Sequence, residues 1–141
     1  MKFIAMSLGV FLWVCGTSAA EPLLLPADSA YRQARAGSIT LIDIRRPGEW
    51  RQTGVPDGAV ALTMHNSKGP NAFYETVLAA VDRDKSRPIA LICAAGNRSR
   101  WASRFLAGKG FKQIVNVAEG LFGNGKLPGW LARGLPVVPL K

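Results

Sequence analysis

The sequence contains few of the residues that metal centres require. It has one histidine, two cysteines and nine acidic residues in a chain of 141 residues. These residues form no cluster with the spacing of a zinc or iron site. The sequence therefore predicts no metal and no cofactor.

The sequence also lacks an apolar run long enough to span a bilayer, for which about 20 residues are needed. Its long apolar run, residues 3–15, follows Lys2 and ends in small residues, with Ser18 and Ala20 placed as at a signal cleavage site. We therefore expect residues 1–20 to be an export signal cleaved near Ala20. Residues 21–141 would then form one periplasmic domain with no stable membrane association. An uncleaved membrane anchor is the alternative.

Signal cleavage would leave Cys93 as the lone cysteine, because Cys15 belongs to the signal. No internal disulfide could then form, and a free thiol in an oxidising compartment is open to pairing and oxidation. A domain that keeps such a thiol is expected to use it. The alternative is a small buried hydrophobic residue that ends a core strand.

Acidic residues are outnumbered by the 18 lysines and arginines, which gives a formal net charge of +9. The basic residues are scattered, and together with the expected export this argues against a nucleic-acid partner. The charge indicates a solvated basic surface, or a positive field that concentrates small anions near a reactive site.

Short β-branched runs alternate with helical patterns, which is typical of an α/β fold. We expect strands at residues 38–44, 59–63, 89–92 and 114–117, and helices at about 27–35, 71–81 and 99–107, with a brief helical turn at 49–52. This order predicts a small, mainly parallel sheet with helices on both faces. Trp101, Ala102 and Phe105 are expected to share the buried side of the last helix.

Cys93 follows the apolar run at residues 89–92, so it lies beyond the carboxyl end of a central strand, where such sheets bind ligands. A thiol is nucleophilic as the thiolate, which helix N-termini and nearby cations stabilise. The small residues 94–96 let backbone N–H groups turn inward and bind an anion. Arg98 and Arg100 add positive charge at the rim, and Ser99 is expected to cap the helix.

The run Cys93-Ala94-Ala95-Gly96-Asn97-Arg98-Ser99 resembles the C-x-x-G-x-R-S active-site loop of the rhodanese-type sulfurtransferases. The upstream residues Asp43-Ile44-Arg45, Glu49-Trp50 and Gly58-Ala59 are similar to that family's D-x-R, E-aromatic and G-A signature. The downstream segment 117–120, followed by Gly129-Trp130, is similar to its closing segment. The resemblance extends from about Ala27 to Val138 and implies a rhodanese-like fold.

The resemblance implies a sulfurtransferase that moves a sulfane sulfur from an anionic donor, such as thiosulfate, to cyanide or a thiol through a persulfide on Cys93. The implied substrate-binding residues are Ala94, Ala95, Gly96, Asn97, Arg98 and Ser99. Asp43 and Arg45 would support this loop from the neighbouring strand. The partners would be these small molecules alone, and the small domain is expected to be a monomer.

Two other functions remain open. A cysteine phosphatase or arsenate reductase uses a C-x5-R loop, and because Ser99 stands at that arginine position, the loop is one residue too short. A non-enzymatic persulfide carrier or partner-binding module would need Cys93 as well. His65, the single histidine, is a candidate general base, and the glycine-rich loop Gly120–Gly129 is interpreted as a flexible rim.

Overall fold

A parallel five-stranded sheet forms the centre of the fold in residues 20–140, the part of the chain that this computed structural model describes. In chain order the elements are β1 Leu23–Leu24, α1 Ala27–Arg35, β2 Thr40–Asp43, α2 Pro47–Thr53, β3 Val55–Pro56, β4 Ala59–Ala61, α3 Pro70–Ala80, β5 Ile89–Ile92, α4 Asn97–Gly108, β6 Ile114–Asn116 and β7 Val137–Val138. The sheet order is β1-β6-β5-β2-β4, and every neighbouring pair in it is parallel. Strands β3 and β7 form a separate antiparallel pair.

Two hydrophobic cores cover the two faces of this sheet. Ile42 and Leu91 point into a core shared with α3 and α4, whereas Leu41 and Ile92 point into a second core with α1 and Trp130. Neighbouring strand residues face opposite sides of a sheet, so each apolar strand serves both cores. The predicted fold class, a small and mainly parallel sheet with helices on both faces, is confirmed.

Helix α2 is longer than the brief helical turn that the sequence predicts. It begins at Pro47, two residues before the predicted start, and ends at Thr53. Proline fits the first turn of a helix because the N–H it lacks has no partner there. The Glu49 carboxylate accepts a hydrogen bond from Arg46 N at 2.9 Å, and this contact closes the start of the helix.

Helix α4 begins at Asn97, two residues before the predicted start, and its buried face differs from the prediction. Ala102 and Leu106 are buried, as is the polar Ser103. Trp101 is 49% exposed and stacks on Phe105 with their ring centroids 5.3 Å apart, so the expectation of a buried Trp101 is wrong. The physical reason is helical spacing, because positions 99, 102, 103 and 106 fill the inner stripe of the helix.

The predicted export signal falls almost wholly outside the described residues, which begin at Ala20. Within residues 20–140, none of the helices combines the length and the hydropathy that a membrane crossing requires.

Candidate active site

The sulfur of Cys93 lies at the end of the central strand β5, where three hydrogen-bonding groups surround it. Gly96 N and Ser99 N point at Sγ from 3.2 Å and 3.5 Å, and Ser99 Oγ lies 3.3 Å from it. Cys93 itself is only 1% exposed. Backbone N–H groups at a helix N-terminus favour negative charge on a nearby atom. The Cys93 loop, residues 93–99, therefore directs two backbone N–H groups and one hydroxyl at a single sulfur.

Gly96 is the residue that turns the chain from this loop into α4. Its φ of +90° is unfavourable for residues with a Cβ, and an added Cβ would overlap the Ala118 carbonyl group, 2.7 Å from its carbon atom. Gly96 is thus the N-terminal cap, and the prediction that Ser99 caps the helix is wrong. Ser99 lies inside the first turn, where its hydroxyl oxygen is 3.2 Å from Gly96 O and 3.3 Å from the sulfur, so its one proton can be donated to either acceptor.

Four further N–H groups of the loop are free to bind a ligand. Those of Ala94, Ala95, Asn97 and Arg98 make no hydrogen bond to any group within residues 20–140. Ala94 and Ala95 are half-buried, whereas Asn97 is exposed at the start of α4. Free amide donors in a tight loop form an anion-binding nest. Of the predicted substrate-binding residues, the structure brings Gly96 and Ser99 into contact with the sulfur, and substrate binding by residues 94–99 stays a prediction.

The rim arginine, Arg98, is held by a carboxylate. Its two terminal nitrogens donate to Glu49 at 2.7 Å and 2.8 Å. The hydrogen bond from Arg98 lowers the pKa of Glu49 to about 2, although burial alone would raise that pKa. The same hydrogen bond raises the pKa of Arg98. Arg98 therefore has a fixed position and a locally balanced charge, which the sequence pattern did not predict.

His65 reaches the same rim from the segment after β4. Its Nε2 lies 3.4 Å from Arg98 Nη1. Partial burial, and then the charges of Arg46 and Arg98, lower the pKa of His65. His65 touches the site through Arg98.

Asp43 and Arg45 form a fully buried ion pair with a contact of 2.7 Å. Arg45 also donates to Thr53 Oγ1 and to Gly54 O, both at 2.9 Å. These contacts reach the end of α2 and not the Cys93 loop. Support of the loop by this pair is therefore indirect, since it fixes the helix that carries Glu49, the partner of Arg98.

The glycine-rich loop Gly120–Gly129 packs directly against the Cys93 loop. Leu121 N donates to Cys93 O at 2.9 Å, and Phe122 N donates to Ala94 O at 3.0 Å. Gly120 permits this approach, because a Cβ there would lie 2.7 Å from Ala95 N. The first residues of this segment are thus bonded to the backbone of the nucleophile's own loop, a contact that the interpretation as a flexible rim did not include.

Glu119 is a structural residue whose role the sequence analysis missed. Its fully buried carboxylate accepts hydrogen bonds from Ala27 N at 2.8 Å, Gly129 N at 2.9 Å and Arg133 Nε at 2.7 Å. Burial would raise the pKa of Glu119, but these donors lower it. The carboxylate thereby joins the start of α1 to both ends of the glycine-rich loop. The sequence signal for this role was a charged residue between the apolar residues Val117 and Leu121.

A metal centre is not evident in the part of the chain that the structure describes. Within residues 20–140, no three His, Cys, Asp or Glu side chains come close enough to hold an ion.

Comparison with known proteins places this geometry in a family. The rhodanese-like domain family matches residues 26–124. An uncharacterised protein of Rickettsia prowazekii is 28% identical over 128 residues, covering 87% of this chain and 94% of that protein. A sulfurtransferase of Allochromatium vinosum is 29% identical over 107 residues, covering 76% of this chain and 85% of the other.

Solved structures show the same fold. The polysulfide-sulfur transferase homodimer of Wolinella succinogenes is 29% identical with a TM-score of 0.62, covering 87% of this chain and 82% of that chain. A rhodanese-like domain from Anabaena has a TM-score of 0.63 at 21% identity, covering 86% and 81%. This chain therefore belongs to the rhodanese-like domain family, a sulfurtransferase-type family.

Proposed function

We propose that the protein is a sulfurtransferase that moves a sulfane sulfur from an anionic donor, such as thiosulfate, to cyanide or a thiol through a persulfide on Cys93. The observation that carries this proposal is the convergence of Gly96 N, Ser99 N and Ser99 Oγ on Cys93 Sγ. The names of the Allochromatium and Wolinella relatives, both sulfur transferases, agree with sulfur as the transferred group.

In the first half-reaction the Cys93 thiolate attacks the outer sulfur of thiosulfate. A sulfur–sulfur bond forms to Cys93, and the bond between the outer sulfur and the sulfonate breaks, with its electron pair leaving on sulfite. The total charge is unchanged, because a thiolate and a dianion become a persulfide anion and a dianion. The free N–H groups of Ala94, Ala95, Asn97 and Arg98 can stabilise the negative charge that develops on the outer sulfur.

In the second half-reaction cyanide or a thiolate attacks the outer sulfur of the persulfide. The bond to Cys93 breaks, and its electron pair returns to Sγ as the thiolate, while the product leaves as thiocyanate or a new persulfide. Gly96 N and the two Ser99 groups stabilise the departing thiolate as they stabilise the attacking one. Neither half-reaction requires a metal or a redox cofactor.

In this scheme Arg98 provides a fixed side chain at the rim, and Glu49 balances its positive charge. Because Glu49 binds both of its terminal nitrogens, the guanidinium stays at the rim with its charge balanced. His65 lies 3.4 Å from Arg98, whose guanidinium can only donate, so His65 Nε2 accepts this contact and helps to hold Arg98 at the rim.

We also propose that the protein is exported and monomeric. The composition of residues 1–20 supports export to the periplasm with cleavage near Ala20. The partners are then the small sulfur donor and the acceptor, with no nucleic acid.

Intact-mass analysis after thiosulfate treatment tests the proposal. The wild-type protein should gain one sulfur atom and lose it to cyanide, with thiocyanate formed over many turnovers. Cys93→Ala should gain none, and Ser103→Ala, which changes a hydroxyl that bonds only the backbone of α4, is the matched control that should behave like the wild type. Single loading without turnover would identify a carrier and overturn the enzymatic assignment. Hydrolysis of a phosphate ester without thiocyanate formation would overturn sulfur chemistry itself.

A further inference from the structure

His65, Arg98 and Glu49 form a contiguous cluster at the rim of the Cys93 loop. Each terminal nitrogen of Arg98 donates to Glu49, and Nη1, which makes the bond of 2.8 Å, also faces His65 Nε2 at 3.4 Å. One guanidinium nitrogen thus serves a carboxylate oxygen and an imidazole nitrogen. Because the guanidinium can only donate, this arrangement requires an unprotonated Nε2 on His65.

The backbone around His65 is held against the central sheet. Met64 N donates to Ile44 O at 3.1 Å, directly after the end of β2. His65 N donates to Thr63 Oγ1 at the same distance of 3.1 Å. The imidazole therefore extends from an anchored segment towards Arg98.

The charged groups that face His65 come from α2 and its N-terminal cap, and from α4. Partial burial and the positive charges of Arg46 and Arg98 lower the pKa of His65, whereas the negative charge of Glu49 raises it. Glu49 stays ionised while His65 titrates, because the hydrogen bond from Arg98 lowers the pKa of Glu49 to about 2. A protonated His65 therefore adds a second cation beside one carboxylate.

Arg98 links this cluster to the reacting sulfur. Its hydrogen bond to Glu49 is the main cause of its raised pKa, and the negative charges of Glu49 and Cys93 add to the effect. The guanidinium is thus within electrostatic range of the nucleophile. A change in the charge balance at Arg98 acts on any anion that binds at Cys93.

We infer that His65 is a positioning residue whose protonation raises the affinity of the rim for a dianionic sulfur donor such as thiosulfate. A proton on Nε2 turns both nitrogens of the 3.4 Å contact into donors, so His65 and Arg98 then compete for Glu49. One carboxylate cannot balance two cations, and the rim gains one positive charge. The inference rests on the proposed function, which supplies the anionic donor.

NMR can measure this coupling directly, because His65 is the single histidine of the chain and its imidazole signals are unambiguous. The pKa of His65 is measured in the Cys93→Ala protein, which cannot form the persulfide, with thiosulfate and with sodium chloride at equal ionic strength. Linked equilibria are reciprocal, so a gain in affinity of about fivefold on protonation requires thiosulfate to raise the pKa by about 0.7. We expect a rise of at least this size. An equal pKa in the two salts would overturn the inference.

Steady-state kinetics test the same coupling in the active protein, with His65→Gln as the matched variant. Glutamine can accept the hydrogen bond from Arg98 but does not titrate. The wild-type KM for thiosulfate, divided by the KM of His65→Gln, should fall about fivefold as the pH drops through the pKa of His65, while the ratio of the kcat values stays constant. Cys93 is present in both proteins, so the ratio removes its titration. A KM ratio that does not change with pH would refute the role of His65.

Together with the mass analysis, these measurements separate the inference from the proposed function. Sulfur loading of the wild type with an equal pKa of His65 in both salts would refute the inference and leave sulfur transfer intact. A pKa of His65 that rises with thiosulfate, in a protein that gains no sulfur, would support the coupling and refute sulfur transfer.

Discussion

Replacement of Gly96 by alanine tests whether the backbone at this residue controls the chemistry of Cys93. Gly96 has a φ of +90°, and a Cβ there would lie 2.7 Å from the carbonyl carbon of Ala118. Backbone strain of this kind costs about 1–3 kcal/mol, and forcing an extra carbon into a packed site costs about as much again. We therefore expect Gly96→Ala to lower the free energy of unfolding by about 2–6 kcal/mol.

The effect on the sulfur can be estimated separately. In the wild type, Gly96 N lies 3.2 Å from Cys93 Sγ. In the alanine variant, the clash with Ala118 should push residue 96 away and displace this N–H group. A hydrogen bond to a charged atom contributes about 1.5–3 kcal/mol, and each 1.36 kcal/mol corresponds to about tenfold in rate. Loss of this donor should thus reduce kcat/KM for thiosulfate by about 10- to 150-fold.

A thiosulfate:cyanide assay at matched concentrations of folded protein measures this reduction, with urea unfolding of each variant beside it. Gly125→Ala is the matched control, because Gly125 has a similar φ of +83° but open space around its Cα. It should reproduce the backbone strain and leave the turnover unchanged. A folded Gly96→Ala protein with activity within twofold of the wild type would refute the assignment of Gly96 N to the sulfur, as would equal losses in the two variants.

Three further substitutions test the contacts around the loop. Glu49→Gln removes a carboxylate whose pKa Arg98 lowers to about 2, so above pH 4.5 the wild type should be more stable by about 1–3 kcal/mol. Urea unfolding should show this excess vanish as the pH falls towards 2; a constant difference would contradict it. Ser99→Ala should lower thiosulfate turnover about tenfold through loss of its hydroxyl at Sγ, unlike Ser103→Ala, whose hydroxyl bonds only the helix backbone. Glu119→Gln should cost about 2–4 kcal/mol of unfolding free energy at pH 7, and an unchanged urea midpoint would exclude the proposed role of Glu119.

The parts of the site that lie close together in the sequence could be predicted well. The apolar run of β5, the small residues after Cys93 and the start of a helix all act within a few residues, so local pattern describes them. The prediction that Cys93 meets a helix N-terminus at the end of a central strand is confirmed. The sequence pattern predicted the N-terminal cap of α4 at Ser99, three residues after its observed position at Gly96.

The parts that join distant segments could not be predicted from local pattern. Glu49 and Arg98 are 49 positions apart, and Glu119 and Ala27 are 92 positions apart. No periodicity links such residues, since their contact depends on how the whole sheet is ordered. The burial of Trp101 was predicted wrongly for a related reason. The sheet beneath α4 determines which side of the helix is buried, and local pattern does not describe that contact.

The surroundings of Cys93 divide into two kinds of contact with different consequences for function. Close to the sulfur, backbone groups dominate: Gly96 and Ser99 direct their N–H groups at Sγ, and Gly120 and Leu121 pack against the loop from the other side. Dipoles fixed by the fold need no reorganisation when charge moves to or from the sulfur. Farther out, side chains dominate, and these can change without disturbing the loop. In the reaction that we propose, the transfer step would therefore depend on the fold, and the choice of donor and acceptor on rim side chains such as Arg98.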